Sequence, residues 1–317
     1  MTGLVPEPFA SQVSGYPADA VEPGASYAVA GDVWVRALPR LLADLLDEWA
    51  LTPDGATRWG VCAVVVPVTG PEGPAALKAT WPHLEARDEH LALRAWSGLG
   101  AVRLLRADPR RFALLLERLD AARDLSATPV DEACAVIGDL LAQLSRPALL
   151  QTPSLSGYVA RQLATDVGGT PGRHPTLPPR ATDVLPRRFL DQGRRLAADL
   201  VADPDVDADL LHTDLHFANV LGSDRQPWLA LDPKPMAGDR AFEVAPALWN
   251  RADELGSGSA LRWSLRRRVD IVCEHAGIDV DRARAWTIVR EVDNALQEPP
   301  GSARASLAVA VIKAMND

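Results

Sequence analysis

Cysteines are scarce in this sequence and follow no metal-binding or redox pattern. The 317 residues include three, Cys62, Cys134 and Cys273, which are scattered and contain no CxxC pair. An odd, dispersed set of this kind does not support a zinc site or a redox dithiol. A reducing compartment, the cytoplasm, is therefore the expected location.

Long apolar runs and an excess of cations are missing as well. No stretch approaches the roughly 20 apolar residues of a membrane-spanning helix, and residues 1–20 lack a basic segment followed by an apolar one. We expect neither export nor a membrane anchor.

The formal net charge of -9 argues against a nucleic-acid surface, because contacts to a phosphate backbone need clustered cations. An acidic protein can instead attract a cationic substrate.

The residues that are present are typical of a globular protein large enough for two lobes. Residues 1–33 are rich in proline and glycine and lack periodicity, which predicts an irregular N-terminal arm. Residues 34–119 alternate between helical and strand-like patterns and predict a lobe built on a small mixed β-sheet. Residues 120–317 are mostly helical in pattern and predict a second, larger lobe. The fold class expected is therefore α+β.

Two polar motifs adjoin short apolar segments in the larger lobe. His212, Asp214 and Asn219 follow one such segment, and Asp232 follows another. Phosphoryl transfer needs magnesium to hold the phosphates and a carboxylate to orient and deprotonate the acceptor hydroxyl. Asp214 can serve as that base, and the side-chain oxygens of Asn219 and Asp232 are ligands that Mg²⁺ prefers. His212 is better suited to bracing the loop through hydrogen bonds than to catalysis.

The spacing His212-x-Asp214-x-x-x-x-Asn219 resembles the catalytic loop of the aminoglycoside phosphotransferases, which share the protein-kinase fold. The run from Leu231 to Arg251 is similar in more detail to the branch that contains streptomycin kinases and hydroxyurea phosphotransferases. The resemblance implies a two-lobed kinase with ATP and Mg²⁺ as cofactors. It also implies transfer of the γ-phosphoryl group to a hydroxyl of a streptomycin-type aminoglycoside or of hydroxyurea.

The same resemblance assigns residues that bind ATP in the smaller lobe. Lys78 falls where the family's strand lysine contacts the nucleotide phosphates, and Glu89 on the next helix would be its ion-pair partner. Glu85, one turn earlier, is the competing partner. Residues Glu117 to Leu119 correspond to the hinge between lobes, whose backbone groups would bind the adenine. In the larger lobe, Asp239 is the acidic residue that the motif places as a candidate substrate contact.

The sequence departs from the family pattern in two places. Kinases cover the nucleotide phosphates with a Gly-x-Gly loop, whereas the corresponding segment here contains only Gly55 and Gly60. Aminoglycoside phosphotransferases generally lack the strict glycine pattern, so this departure is compatible with the family. Glu243 stands where the relatives usually have aspartate, which is a mild change unless the carboxylate touches substrate.

Other functions fit parts of the sequence. The same scaffold carries metabolic kinases of sugars, amino sugars and amino alcohols, because a fold does not fix its acceptor. His212, Asp214 and His216 form an HxDxH pattern that can bind zinc in a hydrolase, but that hypothesis leaves Asn219 and Asp232 unexplained. A kinase-like module that only binds ligands usually lacks the base or a metal ligand, and both are present. The expected partner is a small polar molecule with a hydroxyl group, with no nucleic acid and no membrane; the sequence does not indicate an oligomeric state.

Overall fold

The computed structural model describes residues 3–18, 25–164 and 181–316. It divides into two compact units. The first takes the described residues up to Gly98 together with Val102–Leu119, and the second takes Leu99–Ala101 and the described residues after Leu119.

Helices occur in both units. Those of the first unit are α1 (Glu7–Ser14), α2 (Gly31–Glu48), α3 (Leu84–Arg87) and α4 (Glu89–Trp96). Those of the second unit are α5 (Val130–Leu144), α6 (Leu155–Ala164), α7 (Ala181–Val184), α8 (Arg187–Val201), α9 (Gly258–Ala276), α10 (Val280–Leu296) and α11 (Ala303–Asn316). Among the described residues, no helix is both long and apolar enough to cross a membrane.

The strands of the first unit form one antiparallel sheet. They are β1 (Thr52–Pro53), β2 (Arg58–Trp59), β3 (Ala63–Gly70), β4 (Gly73–Thr80), β5 (Leu104–Asp108) and β6 (Ala113–Glu117). Their order is β1-β3-β4-β6-β5, and β2 also pairs with β3. Val64, Val66 and Val68 alternate along β3 as fully buried residues, because successive side chains of a strand point to opposite faces.

The first unit builds its core between this sheet and the long helix α2. Trp34, Leu38, Leu42 and Leu45 recur at three- and four-residue intervals along α2 and are buried in one cluster with the β3 valines. The helix includes Pro39 and still runs unbroken over its 18 residues. The sheet and α2 together position Lys78 on the central strand β4.

The second unit combines helices with two small antiparallel sheets. Its strands are β7 (Asp120–Asp124), β8 (Asp209–Leu211), β9 (Val220–Gly222), β10 (Trp228–Ala230) and β11 (Met236–Gly238). One sheet has the order β10-β9-β7, and the other pairs β11 with β8. Both polar motifs lie in the loops of these sheets, which fix their backbones.

The structure differs from the sequence-based expectations in two segments of the first unit. Part of the arm predicted to be irregular over residues 1–33 forms α1, where Phe9 and Val13 are fully buried against α2. Two apolar residues four positions apart were too few to reveal a helix of eight residues. Glu85 and Glu89, expected one turn apart on a single helix, lie on two helices, α3 and α4, which are separated at Asp88.

Candidate active site

The first motif forms a tight loop between β8 and β9. Thr213 adopts a left-handed backbone with φ of 57°, which turns the chain sharply just before Asp214. Its hydroxyl donates a hydrogen bond to the carbonyl of Lys234 at 2.6 Å. Phe217–Asn219 then form a short 3₁₀ turn that leads into β9. The turn brings Asn219 back toward Asp214.

Asp214 is held by two groups of the same unit. The Nδ2 atom of Asn219 donates to the Asp214 carbonyl at 2.9 Å, and the Nζ atom of Lys234 lies 3.2 Å from Oδ2 of its carboxylate. The Asp214 side chain is 13% exposed, so the carboxylate is accessible yet restrained. A partly exposed, oriented carboxylate is the geometry that a general base requires.

Asp232 begins the second motif, and its loop is tied to the first. Its backbone is also left-handed, with φ of 59°. The N–H of the preceding Leu231 donates to the Asn219 carbonyl at 3.0 Å. Because Nδ2 of Asn219 is engaged with Asp214, its Oδ1 is the atom suited to a metal. An amide oxygen and a carboxylate are hard donors of the kind that Mg²⁺ prefers.

His212 braces both loops and carries no charge. Its Nε2 donates to the Leu231 carbonyl at 3.1 Å, and its Nδ1 accepts the N–H of Asp214 at 3.3 Å. Burial lowers the pKa of His212 to about 4, so the ring is neutral at pH 7. Both ring nitrogens are engaged, which leaves neither for a metal. Over the described ranges, no group of three or more His, Cys, Asp or Glu side chains could hold an ion.

Glu243 contacts the loop of the first motif and accepts two of its backbone N–H groups. Its Oε1 accepts the N–H of His212 and, at 3.1 Å, the N–H of Thr213. The side chain is buried, and burial raises its pKa to about 7 although the two N–H donors favour the ionised form. Glu243 therefore supports the loop backbone.

Arg290 reaches the same loop from helix α10. Its guanidinium donates to the carbonyl of Thr213 and, at 3.2 Å, to the carbonyl of Phe242. It also stacks on the rings of Phe242 and Trp249, 4.4 and 4.6 Å from their centroids. Loss of hydration lowers the pKa of Arg290. Sequence reasoning does not find this residue, because an arginine on a helix gives no local signal that distinguishes it from a solvated one.

In the first unit, Lys78 and Glu89 form a buried ion pair. The Nζ atom lies 2.7 Å from Oε1 and 2.8 Å from Oε2 of Glu89, and the side chains are 7% and 4% exposed. Lys78 is held in the middle of the sheet, opposite Val65 on β3 and Leu114 on β6. Glu89 is the first residue of α4, so the pair links that helix to the sheet.

The segment assigned to adenine binding begins at the end of β6. The N–H of Glu117 donates to the carbonyl of Arg103 at 3.0 Å, and its Oε1 accepts the N–H of Arg103 at 2.6 Å. The backbone N–H and the side-chain carboxylate of Glu117 are thus both hydrogen-bonded to the backbone of Arg103. Leu119 is half-buried at the last position of the first unit.

Asp239 is engaged by donors from its own unit. Its Oδ1 caps the following turn by accepting the N–H of Ala241 at 2.9 Å. Its Oδ2 accepts the indole N–H of Trp286 at 2.7 Å and a short hydrogen bond from Arg282. A carboxylate with these three partners favours support of the turn over direct contact with a substrate.

Comparison with known proteins assigns the family. The profile of the family described as aminoglycoside/hydroxyurea antibiotic resistance kinase matches residues 48–298. The chain belongs to this family. The kinase is 40% identical to a streptomycin 6-kinase of Streptomyces glaucescens over 278 residues, which are 86% of this chain and 88% of that protein. It is 42% identical to a hydroxyurea phosphotransferase of Kitasatospora aureofaciens over 289 residues, 89% and 79% of the two chains.

The fold of the kinase is that of solved relatives. The crystal structure of the aminoglycoside phosphotransferase APH(4)-Ia superimposes with a TM-score of 0.56 at 14% identity, covering 87% of this chain and 99% of that one. This likeness confirms the α+β, protein-kinase-like fold class predicted from the motifs. The enzyme class predicted from the sequence, a phosphotransferase acting on a hydroxyl group, is confirmed by the family.

Proposed function

We propose that this kinase transfers the γ-phosphoryl group of ATP to a hydroxyl of a streptomycin-type aminoglycoside or of hydroxyurea. The observation that carries the proposal is Asp214, restrained by Asn219 and Lys234, in a chain about 40% identical to enzymes named for these two acceptors. Residues 34–119 would form the nucleotide-binding lobe, and residues 120–317 the catalytic and substrate-binding lobe.

The residues of the two motifs and of the first unit have separate roles in this proposal. Lys78, held by Glu89, contacts the nucleotide phosphates, and backbone groups between Glu117 and Leu119 bind the adenine. Asn219 and Asp232 would hold Mg²⁺, which would supply positive charge against the phosphate oxygens.

Asp214 orients the acceptor hydroxyl and takes its proton late in the transfer. His212, neutral and fully engaged, keeps the loop in place. Most of the rate acceleration then comes from positioning and charge stabilisation, since phosphoryl transfer requires little covalent participation of the protein.

The net charge of the chain supports a cationic acceptor. With a formal charge of -9, the protein favours approach of a guanidinium-bearing molecule such as streptomycin. The 6-hydroxyl of streptomycin is the first candidate, from the name of the Streptomyces relative. We place the enzyme in the cytoplasm, where the free thiols of Cys62, Cys134 and Cys273 remain reduced.

A coupled assay of ADP release tests the proposal. The purified protein is supplied with Mg²⁺ and ATP and with streptomycin, hydroxyurea, choline or an amino sugar. We expect turnover with streptomycin or hydroxyurea, and NMR of the product identifies the phosphorylated oxygen. Turnover with choline or a sugar alone would replace the antibiotic assignment by a metabolic one. Stoichiometric, tightly bound zinc would instead favour a hydrolase.

The variant Asp214→Ala separates catalysis from binding. Its transfer rate should fall by at least about 100-fold, the usual contribution of general-base catalysis. Its affinity for the nucleotide, measured by calorimetry, should change little because Asp214 acts on the acceptor. Full activity of this variant would contradict the assignment of the base.

A further inference from the structure

The backbone of Lys234 is hydrogen-bonded to the catalytic loop through both its N–H and its carbonyl group. Its N–H donates to the carbonyl of His212 at 2.9 Å, and its carbonyl accepts the hydroxyl of Thr213 at 2.6 Å. These bonds continue the pairing of β11 with β8, in which Met236 lies opposite Leu211. Lys234 is therefore fixed beside the residue that precedes Asp214.

Prolines restrict this segment further. Pro233 and Pro235 stand on either side of Lys234. A proline fixes its own φ and disfavours helical backbone in the residue before it, so Lys234 has little conformational freedom. The side chain starts from a rigid backbone and is only 31% exposed. The fold thus fixes the backbone from which its ammonium group extends.

The ammonium group of Lys234 contacts one particular carboxylate oxygen of Asp214. Nζ of Lys234 lies 3.2 Å from Oδ2 of Asp214, and Nδ2 of Asn219 lies 3.5 Å from the same atom. Within the part of the chain that the structure describes, no hydrogen-bond donor of another side chain is placed on Oδ1. The two oxygens of the carboxylate are therefore inequivalent, with Oδ2 restrained and Oδ1 available to an acceptor.

We propose that Lys234 is a positioning residue of the transfer reaction, which restrains Asp214 through Oδ2 and directs Oδ1 at the acceptor hydroxyl. This inference rests on the kinase function proposed above. Oδ1 takes the proton of the hydroxyl as the acceptor oxygen bonds to the γ-phosphorus. The bond from that phosphorus to the β,γ-bridging oxygen breaks and leaves ADP. Lys234 keeps its own protons throughout and acts as a fixed cation.

Three lysine variants test the proposal. The chain contains only Lys78, Lys234 and Lys313, and Lys313 is exposed on α11, so Lys313→Met is a matched control. We expect Lys234→Met to lower kcat by about 10- to 100-fold, because a misplaced base loses part of its contribution. KM for ATP should stay within about twofold, since nucleotide binding does not involve Oδ2. Lys234→Arg should recover part of kcat, and Lys313→Met should leave it unchanged.

A double-mutant cycle with Asp214→Asn decides whether Lys234 acts through the base. When the Asp214→Asn substitution is already present, Lys234→Met should lower the residual rate less than about threefold, because residues that act as a unit are not additive. A full multiplicative loss in both backgrounds, or a higher kcat in Lys234→Met, would overturn the proposal. Melting temperatures of all variants identify losses that come from unfolding alone.

The acceptor assignment can fail independently of Lys234. If the wild-type enzyme ignores streptomycin and hydroxyurea, the same variants are compared in ATP hydrolysis, in which water replaces the acceptor hydroxyl. A retained effect of Lys234→Met there would support the positioning role and reject only the acceptor. Absence of both transfer and hydrolysis in the wild type would remove the reaction that Lys234 serves and overturn the inference.

Discussion

At the residue scale, each of the two units buries ionisable side chains that are matched with specific partners. Lys78 with Glu89 and Glu243 with two backbone N–H groups are examples. Burial of a charge costs several kcal/mol unless a partner offsets it. Removal of one partner should therefore affect stability as well as activity, and the two effects can be separated by suitable second substitutions.

The Lys78–Glu89 pair gives the first such prediction. Lys78→Met should destabilise the protein by about 3–5 kcal/mol, because Glu89 stays buried without the ammonium. It should also weaken nucleotide binding, which calorimetry measures. The double variant Lys78→Met/Glu89→Leu should regain most of the free energy of unfolding, since two apolar side chains can pack where the ion pair lay. Restored nucleotide binding in that double variant would argue against a phosphate contact by Lys78.

Glu243 predicts a dependence of stability on pH. Its pKa rises from an ordinary value of 4.5 to about 7 on folding, so the folded state holds the proton more tightly than the unfolded state. The contribution of Glu243 to stability is complete below about pH 4.5 and is lost as the pH rises through about 7, with a size on the order of 3 kcal/mol.

Glu243→Gln should remove this dependence. The amide does not titrate, and its oxygen can still accept the N–H groups of His212 and Thr213. Urea unfolding at several pH values between about 4.5 and 8 measures the difference from wild type. Glu132→Gln, at an exposed position of α5, is the control. An unchanged pH profile in Glu243→Gln would exclude Glu243 as its source.

At the element scale, helix α10 carries Arg290, which donates a hydrogen bond to the loop of the first motif. Arg290→Lys should lower kcat by about 10-fold or more, because lysine keeps the charge but cannot donate to the carbonyls of Thr213 and Phe242 from one planar group. KM for ATP should change little. Arg267→Lys is the matched control, since Arg267 pairs with Asp131 at a solvent-exposed position. Equal kinetics of the two variants would show that α10 does not support the loop through Arg290.

How well the sequence pattern predicts a helix also differs from one helix to the next. The long helices α2, α5, α9 and α10 follow from apolar residues that repeat at helical spacing, because one face of each is buried. Helix α1 was missed because only Phe9 and Val13 mark its buried face. The break between α3 and α4 depends on the packing of Asp88 and Glu89, which a local pattern does not record.

At the scale of the whole molecule, the formal net charge of -9 should affect the KM values of the two candidate acceptors differently. Streptomycin is cationic, so its KM should rise about three- to tenfold as salt increases from about 50 to about 300 mM, because counterions screen the attraction. Hydroxyurea is uncharged, and its KM should stay nearly constant. Initial rates at saturating ATP measure both. The same salt dependence for both acceptors would mean that the net charge plays no part in acceptor binding.

The sequence by itself determined the family, the kinase class and the identity of the motif residues. Asp214, Asn219 and Asp232 could be chosen because their chemistry depends on residue type and on spacing within short loops. Only the tertiary structure decided what holds them. Lys234 contacts Asp214 from the segment that precedes β11, the strand paired with β8, and Arg290 and Glu243 contact the loop from elsewhere in the second unit. Contacts between residues distant in the chain depend on strand register and helix packing. From the sequence alone, a Lys, Arg or Glu that makes such a contact cannot be distinguished from one on a solvated surface.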